Sequence, residues 1–130
     1  METTIVRRVL LVGCPAVQQA ILIKLLGDRS FSLIFTESIN VAIEMLNDSV
    51  IIDKKFQKVV TVSHLFEKED GEFVLRLGSE IASKCFKTSI PCLVLPGAIE
   101  NQKFLDAAKR AGATKIFEKV NWEEAIMLAC

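Results

Sequence analysis

The sequence is poor in the residues that carry most enzyme and metal chemistry. Its 130 residues include a single histidine, and its four cysteines, at 14, 85, 92 and 130, form no Cys-x-x-Cys pair. One histidine beside such cysteines falls short of a usual zinc set. The same spacing offers no disulfide framework, so four free thiols in a reducing compartment and a fold without staples are expected. Neither charge is in excess: 16 basic residues face 16 acidic ones. A nucleic-acid-binding surface needs a clustered basic excess, and disorder needs a low apolar content. At 51% hydrophobic and 25% charged, the chain has neither feature. Apolar runs are short as well. Ala20–Ile23 and Ile90–Leu95 fall far below the roughly 20 residues of a membrane span, and "METTIVRR" reaches strand-like sequence with no apolar leader. One cytoplasmic domain over 1–130, off the membrane and without metal or cofactor, is the expectation, and this length can bury a core of its own.

What the sequence does contain is alternation. Short apolar runs, β-branched or aromatic as in strands buried on both faces, recur at Val9–Val12, Phe31–Phe35, Val59–Val62, Cys92–Leu95 and Ile116–Phe117. Helical patterns fill the gaps. Ala16–Leu26 places Ile21, Leu22, Leu25 and Leu26 inward, with Ile23 facing away. Ser38–Leu46 groups Ile39, Ala42, Met45 and Leu46. Glu72–Cys85 spaces Phe73, Leu77 and Ile81 by four, and Ile99–Ala111 offers Phe104, Leu105, Ala108 and Ala111. A last helix starts near Asn121. Five strands alternating with five helices predict an α/β domain, a parallel sheet with helices on both faces. The twelve residues "NDSVIIDKKFQK" between Leu46 and Val59 exceed an ordinary connection. Within them, "SVII" reads as an extra edge strand or as a loop packed on the core.

Candidate chemistry collects at the predicted strand ends. "VVTVSHLFEKEDGEF" delivers Ser63 and His64 where an open α/β sheet usually binds its ligand. Neighbours on an extended segment point to opposite faces, so this pair is not expected to hydrogen-bond or to act as nucleophile and base. No Gly-x-Ser-x-Gly elbow supports it, and a loop serine beside a solvated histidine is the plainer reading. Cys14, before Pro15 at a helix start, is either a thiol of lowered pKa or a small packed side chain. "VGCPAV" sets helix amides where phosphate could bind, the basis of an alternative nucleotide or small-ligand function. It lacks Gly-x-Gly-x-x-Gly and Gly-Lys-Ser/Thr, and Pro15 removes one donor.

From Ile90 onward, "IPCLVLPGAIENQKFLDAAKRAGATKIFEKV" resembles the second half of a response-regulator receiver domain, with its Pro-led fourth strand, its helix ending in "AGA", its short fifth strand and its fixed lysine. "RRVLLVG" is similar to that family's first strand, and "EDGEFVLRL" to the Asp-Gly that opens its third helix. The resemblance implies a flavodoxin-like, doubly wound sheet of order 2-1-3-4-5. It also implies where the family's pocket falls. Gly13 and Cys14 stand where two acids hold magnesium. Ser63, eight residues before Gly71, stands where the phosphate-accepting aspartate belongs. Pro96 or Gly97, depending on a one-residue shift, replaces the hydroxyl residue after the fourth strand, and Ile116 replaces the fifth-strand aromatic. Only the lysine is kept, as Lys119, though Val120 replaces the proline after it; it either holds an anion or pairs with Glu67, Glu69 or Asp70.

Magnesium takes hard oxygen ligands, and phosphoryl transfer relies on the charge they help to neutralise. The resemblance therefore implies a degenerate receiver, not an enzyme, that works in two-component-type signalling by phosphorylation-independent protein–protein interaction. It would do so alone or as the N-terminal module of a longer regulator. The family's fourth helix, fifth strand and fifth helix commonly mediate dimerisation or output. Here that face would present Lys103, Asp106, Ala107, Arg110, Lys115, Glu118 and Trp122. Its mixed charges suit pairing between two copies and equally describe a solvated helix surface.

Overall fold

The computed structural model describes residues 7–27, 31–48, 55–97 and 102–128. In chain order the elements are β1 (Arg7–Val12), α1 (Ala16–Leu26), β2 (Phe31–Thr36), α2 (Ile39–Asp48), β3 (Lys58–Val62), β4 (His64–Glu69), β5 (Glu72–Leu77), α3 (Gly78–Thr88), β6 (Cys92–Leu95), α4 (Gln102–Arg110), β7 (Lys115–Ile116) and α5 (Trp122–Met127). Five strands form one sheet in the order β2-β1-β3-β6-β7, every pair parallel. This differs from the expected 2-1-3-4-5 in that a hairpin, β4–β5, interrupts the chain between the third and fourth strands of the sheet without joining it. "SVII" and the start of the helix expected from Ile99 lie outside the described residues, as does Cys130.

Alternate residues of each central strand feed opposite faces, as the pleat requires. Leu10, Val12, Val59, Cys92 and Val94 pack with Ile39, Ala42 and Leu46 of α2, Ile81, Ala82 and Cys85 of α3 and Ala108 of α4. Val9, Leu11, Val60, Val62, Leu93 and Leu95 pack on the other side with Leu22 and Leu26 of α1 and with Trp122, Ala125 and Ile126 of α5. Helices thus cover both faces, and this double burial is why the central strands read as unbroken apolar runs. None of the helices among the described residues is long and apolar enough to cross a membrane.

Two expectations fail here for identifiable reasons. Residues 72–77 are strand, and the third helix begins only at Gly78. Asp70 and Gly71 both have positive φ, 50° and 83°, as a two-residue type I′ hairpin turn demands, and Asp-Gly is among the sequences that favour it. The four-residue spacing of Phe73, Leu77 and Ile81 is accidental; Phe73 is 74% exposed. In α1, only Leu22 and Leu26 are buried, while Ile21 and Leu25 join Ile23 and Val17 among the exposed residues. A single stripe of that helix meets the sheet, so the outward face of α1 is apolar as well.

One carboxylate ties the hairpin to α2. Glu67 of β4 accepts from the Ser38 hydroxyl at 2.5 Å and from the Ile39 amide at 2.7 Å, and Ser38 Oγ in turn accepts from the Val41 amide. A serine cap with an anion beyond it satisfies free donors at the start of α2 and complements the helix dipole. At the far end of the sheet, Lys58 reaches under α5. Its Nζ donates to the carbonyls of Ala125, Ile126 and Leu128 at 3.0, 2.8 and 2.5 Å. Those carbonyls end a six-residue helix and lack partners within it.

Candidate functional site

The C-terminal ends of β1, β3 and β6 converge at one edge of the sheet, and the predicted pocket residues follow them. Gly13 and Cys14 leave β1, and Gly13 donates its amide to Thr36 at the end of β2 at 2.9 Å. Ser63 stands one residue beyond β3, held by its own backbone. Its N–H donates to Leu95 at 2.7 Å, and its carbonyl accepts from Gly78 at 2.8 Å. The Asp-Gly count that led to Ser63 assumed a helix opening that does not exist. Ser63 nonetheless follows directly on the end of β3.

The Ser63 side chain is 2% exposed and already engaged. Its Oγ accepts from the Gly97 amide at 3.0 Å and lies 3.0 Å from Nδ1 of His64. This corrects the expectation that these neighbours do not bond. The chain changes direction at Ser63, from the sheet into the hairpin, so the strict alternation of one extended strand does not apply. His64 is also not solvated. It is 3% exposed, with its ring 4.6 Å from that of Phe104 and edge-on to Phe66 at 6.4 Å. Gly97 makes room for it: a Cβ there would come within 2.5 Å of the imidazole Cε1. The His64 Nε2 is buried without a hydrogen-bond partner among the described residues.

Burial holds the His64 imidazole below its ordinary value of 6.5. The unfolded chain therefore takes up this proton at a higher pH than the fold does. The contribution to stability is complete above pH 6.5 and is lost as pH falls from there through the lower folded value. Urea unfolding midpoints measured from pH 8 to 5 should decline from about pH 6.5 downward, and His64→Phe should flatten that decline. An equal slope in the variant would place its origin elsewhere.

Cys14 is resolved in favour of packing. It is 1% exposed, and burial raises its thiol to about 11, far from a reactive thiolate. Cys85 and Cys92 are also free and buried, and the Cys92 thiol is pushed well up, first by its hydrogen bond with Cys85 and then by burial. Ile116 is half-buried against the α2–α3–α4 side, whereas Phe117 turns into the α1–α5 side. Lys119 is exposed and makes no ion pair among the described residues. The pairings offered for it are largely taken: Glu67 serves α2, and Glu69 binds Arg76 at 2.6 Å.

Magnesium does not fit the residues at positions 13, 14 and 63. Gly13 offers no side chain, Cys14 offers a protonated sulfur, and Ser63 offers a hydroxyl already bonded on both sides. No group of three or more His, Cys, Asp or Glu able to hold a metal occurs among the described residues. Of the expected interaction face, Lys103, Asp106, Arg110, Lys115 and Glu118 are exposed and Ala107 is half-buried. Trp122 does not belong to it; at 4% exposure it is part of the core under α5.

No protein-family model matches the chain, and no curated protein matches it. Solved structures do. Chemotaxis protein CheY4 of Vibrio cholerae is 16% identical with a TM-score of 0.65, covering 94% of this chain and 93% of its own. The receiver domain of Ssk1 from Saccharomyces cerevisiae, solved with the histidine phosphotransfer protein Ypd1, is 14% identical at 0.60, covering 94% and 85%. The beryllofluoride-activated receiver domain of NtrC4, a dimer, is 16% identical at 0.60, covering 92% and 90%. At such identities the likeness is one of architecture, and the chain has the fold of a response-regulator receiver domain.

Proposed function

We propose that this domain is a degenerate receiver: a signalling module that accepts no phosphate and acts by binding a second protein or its own copy. The observation that carries this reading is the state of Ser63. At the end of β3, the place the receiver resemblance gives to the acceptor carboxylate, the chain puts a neutral hydroxyl closed off by Gly97 and His64. Phosphoryl transfer depends on positioning and charge neutralisation. Gly13 and the protonated Cys14 supply neither at this pocket.

Binding is what remains for such a fold to do. Among the structural neighbours, one receiver domain is seen with a phosphotransfer protein and another as a dimer. The surface favoured here is the α4–β7 face, where Lys103 and Arg110 alternate with Asp106 and Glu118. Such mixed charge suits a two-fold contact in which each patch meets its complement. Switching by phosphate has no basis without an acceptor, because a ligand shifts a conformational equilibrium only through differential affinity for its two states. The domain then holds one constitutive state, and partner concentration sets its output.

Reversing charge at both Lys103 and Arg110 (Lys103→Glu with Arg110→Glu) should weaken self-association or partner capture by about tenfold. Ser63→Ala should leave it within about twofold, a difference too small to signal a lost interface contact. Sedimentation velocity over a concentration series reads both variants, with circular dichroism confirming folding. Ser63→Ala weakening association as strongly as the reversals would couple the pocket to that face and defeat the constitutive reading.

A further inference from the structure

A cavity of about 320 Å³ opens between the β1–α1 turn, the start of the hairpin and the segment leading into α5. Gly13, Leu65, Phe66, Val120 and Trp122 form much of its wall, and His64 is part of it. None of the described residues lining it carries an ionised side chain. The volume is at the small end of ligand pockets, and an apolar wall with one placed polar group is their usual construction. It also lies where open α/β sheets bind ligands, outside the carboxyl ends of the strands.

The polar group is the informative part. His64 is only 3% exposed, its Nδ1 is held by Ser63, and its Nε2 has no partner among the described residues. Buried polar atoms are nearly always paired, so an orphan nitrogen needs an explanation. Phe66, edge-on to the imidazole, is itself 56% exposed.

We infer that this cavity binds a small uncharged aromatic molecule bearing one hydrogen-bonding group, its ring among the apolar walls and its polar group on Nε2 of His64, an atom that is covered here and is reached as the Phe66 ring moves aside. A neutral imidazole donates or accepts according to tautomer, so a hydroxyl, which does both, is the best match. No cationic side chain stands among the described lining residues to hold a nucleotide or free phosphate. This inference is independent of the interaction proposed above, as it uses neither the α4–β7 face nor the loss of phosphorylation.

The chain carries one tryptophan and one histidine, and both line the cavity, so two local signals report on it. Phenol and toluene serve as probes of equal ring size, with and without the hydroxyl. Phenol should shift Trp122 emission saturably and move the Nε2 resonance of ¹⁵N-labelled His64. Toluene should shift Trp122 alone. His64→Phe should lower phenol affinity about tenfold, the scale of one lost hydrogen bond, and leave toluene within about twofold. The inference is overturned if neither probe produces a saturable response in the unaltered protein, or if phenol binds without moving the His64 resonance. It is also overturned if Trp122 emission changes with protein concentration alone, which would assign the cavity to a second copy.

Discussion

Replacing Gly78 with alanine should cost about 3 kcal/mol of stability, lowering the melting temperature by on the order of 10 °C. An added Cβ would lie 2.3 Å from the carbonyl oxygen of Val62 and 3.3 Å from Cα of Ser63. The obstacle is backbone, so no rotamer change relieves it. Either β3 shifts or the Gly78 amide gives up its bond to the Ser63 carbonyl. That bond fastens the start of α3 to the point where the hairpin leaves the sheet, so the whole excursion from β4 to α3 depends on it. Denaturant unfolding of Gly78→Ala reads the cost as a lower midpoint at unchanged slope. A loss under about 1 kcal/mol, the bottom of the usual overpacking range, would mean that β3 and α3 are not held this closely.

Lys58→Met should be nearly as damaging, at about 3 kcal/mol, for the opposite reason: it removes a partner where Gly78→Ala adds an obstacle. Methionine matches much of the length of the aliphatic stem, so packing changes little. Three carbonyls at the end of α5 lose a common ammonium donor, and Lys58 is only 8% exposed. Bonds to charged donors contribute more than neutral ones, and acceptors left buried carry their own desolvation cost. The loss should appear first in α5. Backbone amide exchange in 122–128 should accelerate more than in α3, even at temperatures where the fold persists. Uniform acceleration across both helices would show that Lys58 supports the sheet and not specifically α5.

The parallel sheet and its helices were legible because burial on two faces leaves a strong mark. Runs such as "VLLV" and "CLVL" have no polar side to confuse the reading. The hairpin was missed although its signal was present. Asp70–Gly71 is a strong two-residue turn, and "HLFEKE" before it runs unevenly between apolar and polar, as an exposed hairpin can. The family resemblance assigned the same Asp-Gly to a helix start, and a chance four-residue spacing of Phe73, Leu77 and Ile81 agreed with it. Lys58 was not legible at all, because its acceptors are main-chain carbonyls more than sixty residues away and leave no sequence mark.

The site was half legible. Where Gly13, Cys14, Ser63 and Gly97 stand could be read, since strand ends fix them. What Ser63 and His64 do there could not. Their bond depends on a change of chain direction at Ser63, and His64 is packed against Phe104 and Gly97, which the sequence places thirty or more residues away. Trp122 was misplaced for a similar reason: at the first turn of a helix, a shift of one residue exchanges surface for core.

The central claim, that this domain carries no phosphate chemistry, is tested most directly by intact-mass spectrometry after incubation with acetyl phosphate in the presence and absence of magnesium. The account predicts one unchanged mass in every condition, for the natural sequence and for Ser63→Ala alike. A gain of one phosphate that requires magnesium and disappears in Ser63→Ala would contradict it.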